Sequence, residues 1–274
     1  MTLFPFIIPF VFGTLIGSFL NVVALRYNTG MGIGGRSKCF SCGKTLTWKE
    51  LVPLFSFLVQ KGSCKKCKSK ISWQYPLVEF FSGILFVLVI AVFPPVDMVS
   101  TIHTLIYLFI TCLMLVITVY DIKHKIIPDP LVYTFDAIAL GAAVLFVVEP
   151  LIFEGANVVA PAVFNWGMLV WPVLAGPICA APFALIWFVS RNSAKGAWMG
   201  LGDAKLMLGI GWLLGLLGAL NAITLAFWIG AAISVIWMLI RFGKLRGHYE
   251  IPFAPYLILG MYLVLLFNIN VFVF

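Results

Sequence analysis

The sequence predicts an all-α polytopic membrane protein of about eight transmembrane helices, with a small cytoplasmic loop domain after the first helix. Composition is the first reason for this prediction. Of the 274 residues, 62% are hydrophobic and only 10% are charged, whereas soluble domains have about 45–50% apolar and about 25% charged residues. The mean hydropathy of +1.09 agrees. The abundant Phe, Gly and Trp suit tightly packed helices with aromatic anchors at the membrane interface.

Apolar stretches that recur along the whole chain are the second reason. All but the sixth have the roughly 17–25 residues that cross a bilayer as a helix. They are Leu3–Ala24, Leu77–Phe93, Ile102–Tyr120, Leu131–Val148, Met168–Val189, Leu206–Leu220, Ala222–Ile240 and Pro255–Phe274. The first stretch is not predicted to be a cleavable signal peptide, because it lacks a basic n-region and is interrupted by Pro5, Pro9 and Asn21.

The sixth and seventh stretches are separated by Asn221 alone, so one long helix or a tight hairpin could explain them. Basic residues decide between the two, since Lys205 precedes the pair and Arg241, Lys244 and Arg246 follow it. If both ends face the cytoplasm, the stretch crosses the membrane twice. The sequence therefore predicts a turn near Asn221.

The placement of charge is the third reason, and it predicts the topology. With eight crossings, all 18 Lys and Arg residues fall on one side, and the opposite loops carry only Asp97, Glu149 and Glu154 as charged residues. By the positive-inside rule the basic loops are cytoplasmic and both termini lie outside, which predicts a multi-pass protein of the inner (plasma) membrane. The net charge of +8 then reflects topology and attraction to membrane lipids. No nucleic-acid partner is expected, because the positive charges are spread over several loops without interleaved aromatic residues.

One sizeable soluble segment interrupts this pattern. It divides the chain into a first transmembrane helix (1–26), a cytoplasmic module (27–75) and a transmembrane core of seven helices (76–274).

Two CxxC pairs, Cys39 with Cys42 and Cys64 with Cys67, lie in the module and are separated by 21 residues. This spacing can place four thiolates around one tetrahedral ion, for which Zn²⁺ is the default. Reduced or redox-active thiols remain an alternative, and disulfides are disfavoured in a cytosolic loop. Because four Cys ligands leave no position for water, the predicted zinc ion is structural. Cys112 and Cys179, inside apolar stretches, are interpreted as packing residues.

Two aspartates stand at the predicted cytoplasmic ends of apolar stretches. Asp121 directly follows the third stretch, and Asp203 follows Gly200-Leu201-Gly202 shortly before the sixth. Each could be a stop-transfer charge or a helix cap, but two at one membrane depth favour a paired site. If helix packing brings them together, repulsion lets them share one proton. One carboxylate can then take a proton from water while the other protonates a peptide carbonyl oxygen.

The run Gly200-Leu201-Gly202-Asp203 matches the GxGD signature of membrane-embedded aspartic proteases, and the chain resembles the type IV prepilin leader peptidases. The other matching stretches follow the order of that family along nearly the whole chain. They are Gly17–Val23, Gly35–Ser37 before the cysteine pairs, Tyr75–Glu79, Ile127–Asp129 after Asp121, Gly202–Leu206 and Pro252–Tyr256.

The resemblance implies that Asp121 and Asp203 are the catalytic pair of an aspartic endopeptidase. Such an enzyme removes the short basic leader of prepilins and pseudopilins, the subunits of type IV pili and type II secretion, at the cytoplasmic face. Many members then N-methylate the new terminus with S-adenosylmethionine. The sequence shows no Gly-x-Gly-x-x-Gly motif after a strand, so residues that bind this cofactor are not predicted.

Two alternatives stay open at this stage. One is a related GxGD peptidase without methyltransferase activity. The other is a non-enzymatic proton-coupled transporter or assembly factor in which Asp121 and Asp203 relay protons.

Further expectations concern individual residues. Gly200 and Gly202 should let the Asp203 loop approach an extended substrate backbone closely. The helix dipoles favour Asp203 as the ionised general base and Asp121 as the protonated acid. Asp136 and Glu79 have no assigned role, and the sequence does not determine the oligomeric state.

Overall fold

The structure, a computed structural model, describes residues 4–30, 32, 34–153, 166–192, 198–240 and 252–272. Within these residues it is helical and contains no regular β-strand. The elements are α1 (Phe4–Arg26), a 3₁₀ turn (Trp48–Glu50), α2 (Phe55–Val59), α3 (Gln74–Val92), α4 (Met98–His124), α5 (Asp129–Phe153), α6 (Trp166–Ser190), α7 (Leu201–Ile240) and α8 (Ala254–Phe267). The predicted all-α class is confirmed.

Five of the described helices are long and apolar enough to cross a membrane, namely α1, α3, α4, α6 and α7. Helices satisfy their own backbone hydrogen bonds, which lipid cannot do, so an apolar chain of this kind folds as helices. The α8 helix is apolar but has only 14 residues. The number of crossings and their sidedness therefore stay predictions.

Contacts divide the chain into two compact units, Met1–Val119 and Tyr120–Phe274. In the first unit, α1 packs closely on α3 because small residues face each other. A Cβ atom on Gly17 would lie 2.8 Å from the Cβ of Ser82, and the Ser82 hydroxyl donates to the carbonyl of Gly13 at 2.8 Å. Such small-residue contacts are typical of helix association in membranes. The predicted three-part division concerned topology, and it stays a prediction.

In the second unit, α7 packs against α5, α6 and α8. Its first half meets α6 at a close approach of backbones, since a Cβ atom on Gly211 would lie 2.7 Å from the Cα of Gly176. The indole N–H of Trp212 donates to the carbonyl of Val173 at 2.8 Å beside this contact. These contacts make α7 the centre of the unit and fix where its first turn lies.

The α7 helix is interrupted at Gly215, which has φ 69° and ψ 177°. The sequence predicted an interruption near Asn221, but Asn221 is buried inside the helix. Its side-chain oxygen accepts the backbone N–H groups of Val271 and Phe272, at 2.9 and 3.0 Å. Glycine alone adopts such a backbone conformation easily, so the break falls at Gly215 and the amide serves packing after α8.

Replacing Gly215 by Ala should destabilise the protein by about 1–3 kcal/mol, because a Cβ atom strains this backbone conformation although no neighbour obstructs it. Thermal unfolding in detergent measures the change. Gly141→Ala is the matched control, since Gly141 lies in α5 with open space around it and without a positive φ. Equal melting temperatures for the two variants would contradict the assignment of the break.

Candidate active site and metal centre

The four module cysteines lie on two turns built in the same way. Around the first pair, Cys39 N–H donates to Lys44 O and Gly43 N–H donates back to Cys39 O, both at 2.9 Å. Around the second pair, Cys64 N–H donates to Ser69 O and Lys68 N–H donates to Cys64 O, also at 2.9 Å. An isolated antiparallel bridge flanks each turn. The local backbone therefore repeats, and each turn presents two sulfur atoms on one side.

The four sulfur atoms of Cys39, Cys42, Cys64 and Cys67 all lie within 4.8 Å of one another. Cys39 Sγ and Cys67 Sγ are 3.8 Å apart. A tetrahedron of four thiolates at the Zn–S distance of about 2.3 Å has edges of about 3.8 Å. The cluster can therefore hold one tetrahedral metal ion, and the donor set suits zinc.

Hydrogen bonds favour the thiolate form of Cys39 and Cys67, whereas burial and the neighbouring thiols raise the pKa of Cys42 to about 11. Backbone N–H groups of Cys42 and Ser41 donate to the Cys39 sulfur and lower the pKa of its thiol to about 6. The hydroxyl of Ser69 lies 3.1 Å from Cys67 Sγ and lowers the pKa of that thiol. Because metals bind the deprotonated thiol, these donors prepare the cluster for a cation.

A buried carboxylate fixes the chain after the first turn. Glu50 accepts the backbone N–H of Thr47 at 2.9 Å and its hydroxyl at 3.0 Å, and pairs with Lys44 at 2.7 Å. The hydrogen bond from Lys44 and that from Thr47 lower the pKa of Glu50 to about 2. The sequence reasoning missed this residue, although Thr47-x-x-Glu50 is a capping-box pattern.

Asp121 lies in the last turn of α4 and is only 4% exposed. The backbone N–H of Ala254, the first residue of α8, is close enough to stabilise the charge of its carboxyl group. Asp121 Oδ2 is buried and has no hydrogen-bond partner among the described residues. A buried carboxyl oxygen left unsatisfied is costly and calls for a functional explanation.

Asp203 lies in the first turn of α7 and is 8% exposed. Its backbone N–H donates to Gly200 O at 3.2 Å, so a tight turn from Gly200 starts the helix. The side chain is close enough to Asp121 for the charge of Asp121 to act on it. The structure thus brings together two carboxyl groups that are 82 positions apart in the sequence.

The two predicted glycines have different surroundings. A Cβ atom on Gly202 would lie 2.9 Å from the Cβ of Ile127, so this glycine is required by packing within the protein. A Cβ atom on Gly200 would lie 3.6 Å from Asp203 Oδ2, an ordinary contact. A role in approaching a substrate backbone stays a prediction, with Gly200 the better placed of the two.

An ion pair joins the starts of α5 and α7. Lys205 Nζ lies 2.8 Å from Asp129 Oδ1 and 4.8 Å from the centre of the Tyr133 ring. Asp129 is also the first residue of α5. The pair fixes the first turn of α7 two residues beyond Asp203. The ammonium group of Lys205 therefore already has a partner within the protein.

Asp136 and Glu79, left without a role by the sequence, are both buried. Asp136 faces Gly209 of α7, and neither of its carboxyl oxygens has a hydrogen-bond partner in the described part of the chain. Glu79 accepts the backbone N–H of Leu54 at 2.8 Å, which links α3 to the module.

Comparison with known proteins gives the family. Residues 11–93 match the bacterial peptidase A24 N-terminal domain, and residues 108–235 match the type IV leader peptidase family. The prepilin leader peptidase/N-methyltransferase of Bacillus subtilis (strain 168) is 30% identical, over 97% of this chain and 96% of that protein. The chain belongs to the type IV leader peptidase family. The predicted family and the prediction of an enzyme are thereby confirmed.

Two further leader peptidases are similar to this chain over most of its length. The type 4 prepilin-like proteins leader peptide-processing enzyme of Escherichia coli O78:H11 is 29% identical over 90% of this chain and 88% of that protein. The prepilin leader peptidase/N-methyltransferase of Xanthomonas campestris pv. campestris is 28% identical over 92% of this chain and 88% of that protein. No solved structure matches the chain.

For this leader peptidase, Glu50→Gln should speed amide exchange at Thr47 at pH 7, because the ion pair with Lys44 is lost. The folded pKa of Glu50 lies below its usual value of 4.5, so its contribution is complete above about pH 4.5 and disappears as the pH falls toward 2. Hydrogen exchange of the intact protein measures both effects. Lys49→Gln, at an exposed neighbour, should leave Thr47 exchange unchanged. Equal exchange at pH 7 in the unmodified protein, Glu50→Gln and Lys49→Gln would refute the role of Glu50 in holding the Thr47 N–H.

Proposed function

We propose that this enzyme cleaves the leader peptides of prepilins or pseudopilins with Asp121 and Asp203 as its catalytic pair. One observation carries this proposal. Two buried carboxyl groups from separate helices lie within electrostatic range of each other in one compact unit, and one oxygen of the pair has no partner among the described residues. The names of the relatives supply the substrate class, since they are leader peptidases for prepilins.

The two carboxyl groups have complementary surroundings. Asp203 stands in the first turn of α7, where the positive end of the helix dipole supports a carboxylate. Asp121 ends α4, which favours the neutral acid, but the start of α8 at Ala254 opposes part of this effect. We retain the division in which Asp203 is the general base and Asp121 the acid, with the proton on the unpartnered Oδ2.

In this mechanism Asp203 takes a proton from a water molecule, whose oxygen attacks the scissile carbonyl carbon. Asp121 gives its proton to the carbonyl oxygen, which yields a neutral tetrahedral intermediate. Asp203 then gives its proton to the amide nitrogen and Asp121 takes one back from a hydroxyl of the intermediate, so the C–N bond breaks. The leader leaves with a new carboxyl group, and the mature segment keeps a new amino terminus. Asp129 and Lys205 act by positioning the start of α7.

The substrate segment must reach the carboxyl groups as extended backbone, which is stable at membrane depth only in a wet cleft. We propose that the hydrophobic mature segment lies among helices and that the basic leader stays in the cytoplasm, on the side of the basic loops. Methylation of the new terminus is part of the proposal because relatives carry it in their names. The described residues offer no donor set that we assign to S-adenosylmethionine, so no methyl-transfer step is derived.

We propose that the four module cysteines bind one structural zinc ion. The 3.8 Å separation of Cys39 Sγ and Cys67 Sγ supports this assignment, as do the thiolate-stabilising donors around them. Zinc would join the two cysteine turns of the module.

Asp121→Asn and Asp203→Asn should each lower the rate of prepilin cleavage by about 10²–10⁴-fold, since each removes a proton-transfer group. A gel-shift assay with purified enzyme in detergent measures this rate. Asp97→Asn is the control, because Asp97 only caps the start of α4 by accepting Ser100 N–H at 2.7 Å. Wild-type cleavage in both catalytic-pair variants, with unchanged melting temperatures, would refute the peptidase site.

Cys67→Ser should remove the metal ion and lower the melting temperature, because a tetrahedral site loses a ligand. Elemental analysis of the purified full chain should give one zinc per wild-type protein. Cys112→Ser tests specificity, since Cys112 lies in α4 outside the cluster and should retain the metal. Zinc retained at one per chain in Cys67→Ser would contradict the assignment.

A further inference from the structure

The module carries large apolar side chains on its surface. The exposed fractions are 72% for Trp48, 65% for Phe55, 70% for Leu58 and 57% for Val59. Soluble proteins rarely expose large contiguous apolar patches, and those that exist commonly mark an interaction site. This surface therefore requires a partner.

Part of the surface forms a groove with a basic rim. Trp48, Val52, Phe55 and Val59 line a cavity of about 330 Å³, with Lys49 and Lys65 among the residues that border it. The groove lies along α2 and the preceding 3₁₀ turn, whose bounds place Phe55 and Val59 one helical turn apart. An apolar floor beside two ammonium groups suits an amphiphile with a negative head.

The position of α2 in the first unit indicates which amphiphile this is. Leu54, directly before α2, donates its backbone N–H to Glu79 Oε2 at 2.8 Å. Glu79 lies five residues beyond Gln74, where the apolar span of α3 begins. At 1.5 Å per residue, α2 therefore starts about 8 Å along that span, at the depth of a membrane interface.

A second contact keeps this end of the unit together. The side chain of Asn21 in α1 donates to the carbonyl of Tyr75 in α3 at 3.2 Å. The segment between these helices is thus held where two membrane-crossing helices reach one leaflet. Its apolar side chains include Trp48, and Trp is among the residues favoured at the membrane interface.

We infer that this groove is a binding surface for anionic phospholipid, with Phe55 and Val59 among the acyl chains and Lys49 and Lys65 at the phosphate groups. Charge favours lipid over a prepilin leader, because a basic leader would be repelled by the same lysines.

Photocrosslinking of the full chain tests this inference. A benzoylphenylalanine at position 55, in nanodiscs that contain phosphatidylglycerol, should give lipid adducts by mass spectrometry. Phe40 provides the matched control position, because it is 81% exposed but does not line the groove. We expect at least fivefold more lipid adduct at position 55 than at position 40. Equal yields at the two positions would overturn the inference, and so would adducts with an added prepilin in place of lipid.

The charge of the rim is tested separately. Lys49→Glu combined with Lys65→Glu should lower the adduct yield at position 55 to the yield in purely zwitterionic nanodiscs, whereas Lys→Arg at both positions should keep it. Zinc content and melting temperature report whether the module is intact in each variant. In the unmodified protein, residues 55–59 should exchange amide hydrogen more slowly in anionic than in zwitterionic nanodiscs. No dependence on lipid charge in either measurement would refute binding of anionic lipid.

Discussion

Burying two carboxyl groups among apolar helices is the constraint on which the rest of the second unit depends. An unpaired charge in such surroundings costs several kcal/mol, so the site lies where helices end. Asp121 closes α4 and Asp203 opens α7, and the first N–H of α8 reaches Asp121. The N-terminal ends of α7 and α8 supply free backbone N–H groups, which help an acidic pair persist in an apolar protein.

Close helix packing fixes the position of those ends. The α7 helix contacts its neighbours where glycines remove side chains, with Gly202 against Ile127 and Gly211 against Gly176. The ion pair of Lys205 with Asp129 fixes the same end of α7 from the α5 side. A glycine in a GxGD sequence therefore has a packing reason in addition to any role with substrate, and the structure shows it for Gly202.

The module of the first unit is organised by local backbone geometry. Its two cysteine turns repeat the same hydrogen bonds, and Glu50 joins the first turn to the 3₁₀ segment. Glu79 then connects this small structure to α3. One buried carboxylate orders the module, and a second fixes it beside the first turns of α3.

The sequence by itself determined the features that depend on composition and short spacing. Long apolar stretches fold as helices, because lipid offers no hydrogen bonds to the backbone. The CxxC spacing gives the sulfur cluster, because both members of each pair lie on one turn. Only the tertiary structure decided contacts between distant residues. It brings Asp121 within electrostatic range of Asp203 and pairs Lys205 with Asp129. It also shows the break in α7 at Gly215, whereas the sequence predicted it near Asn221. Such choices depend on which helix faces pack together, and the periodicity of a uniformly apolar helix does not specify a face.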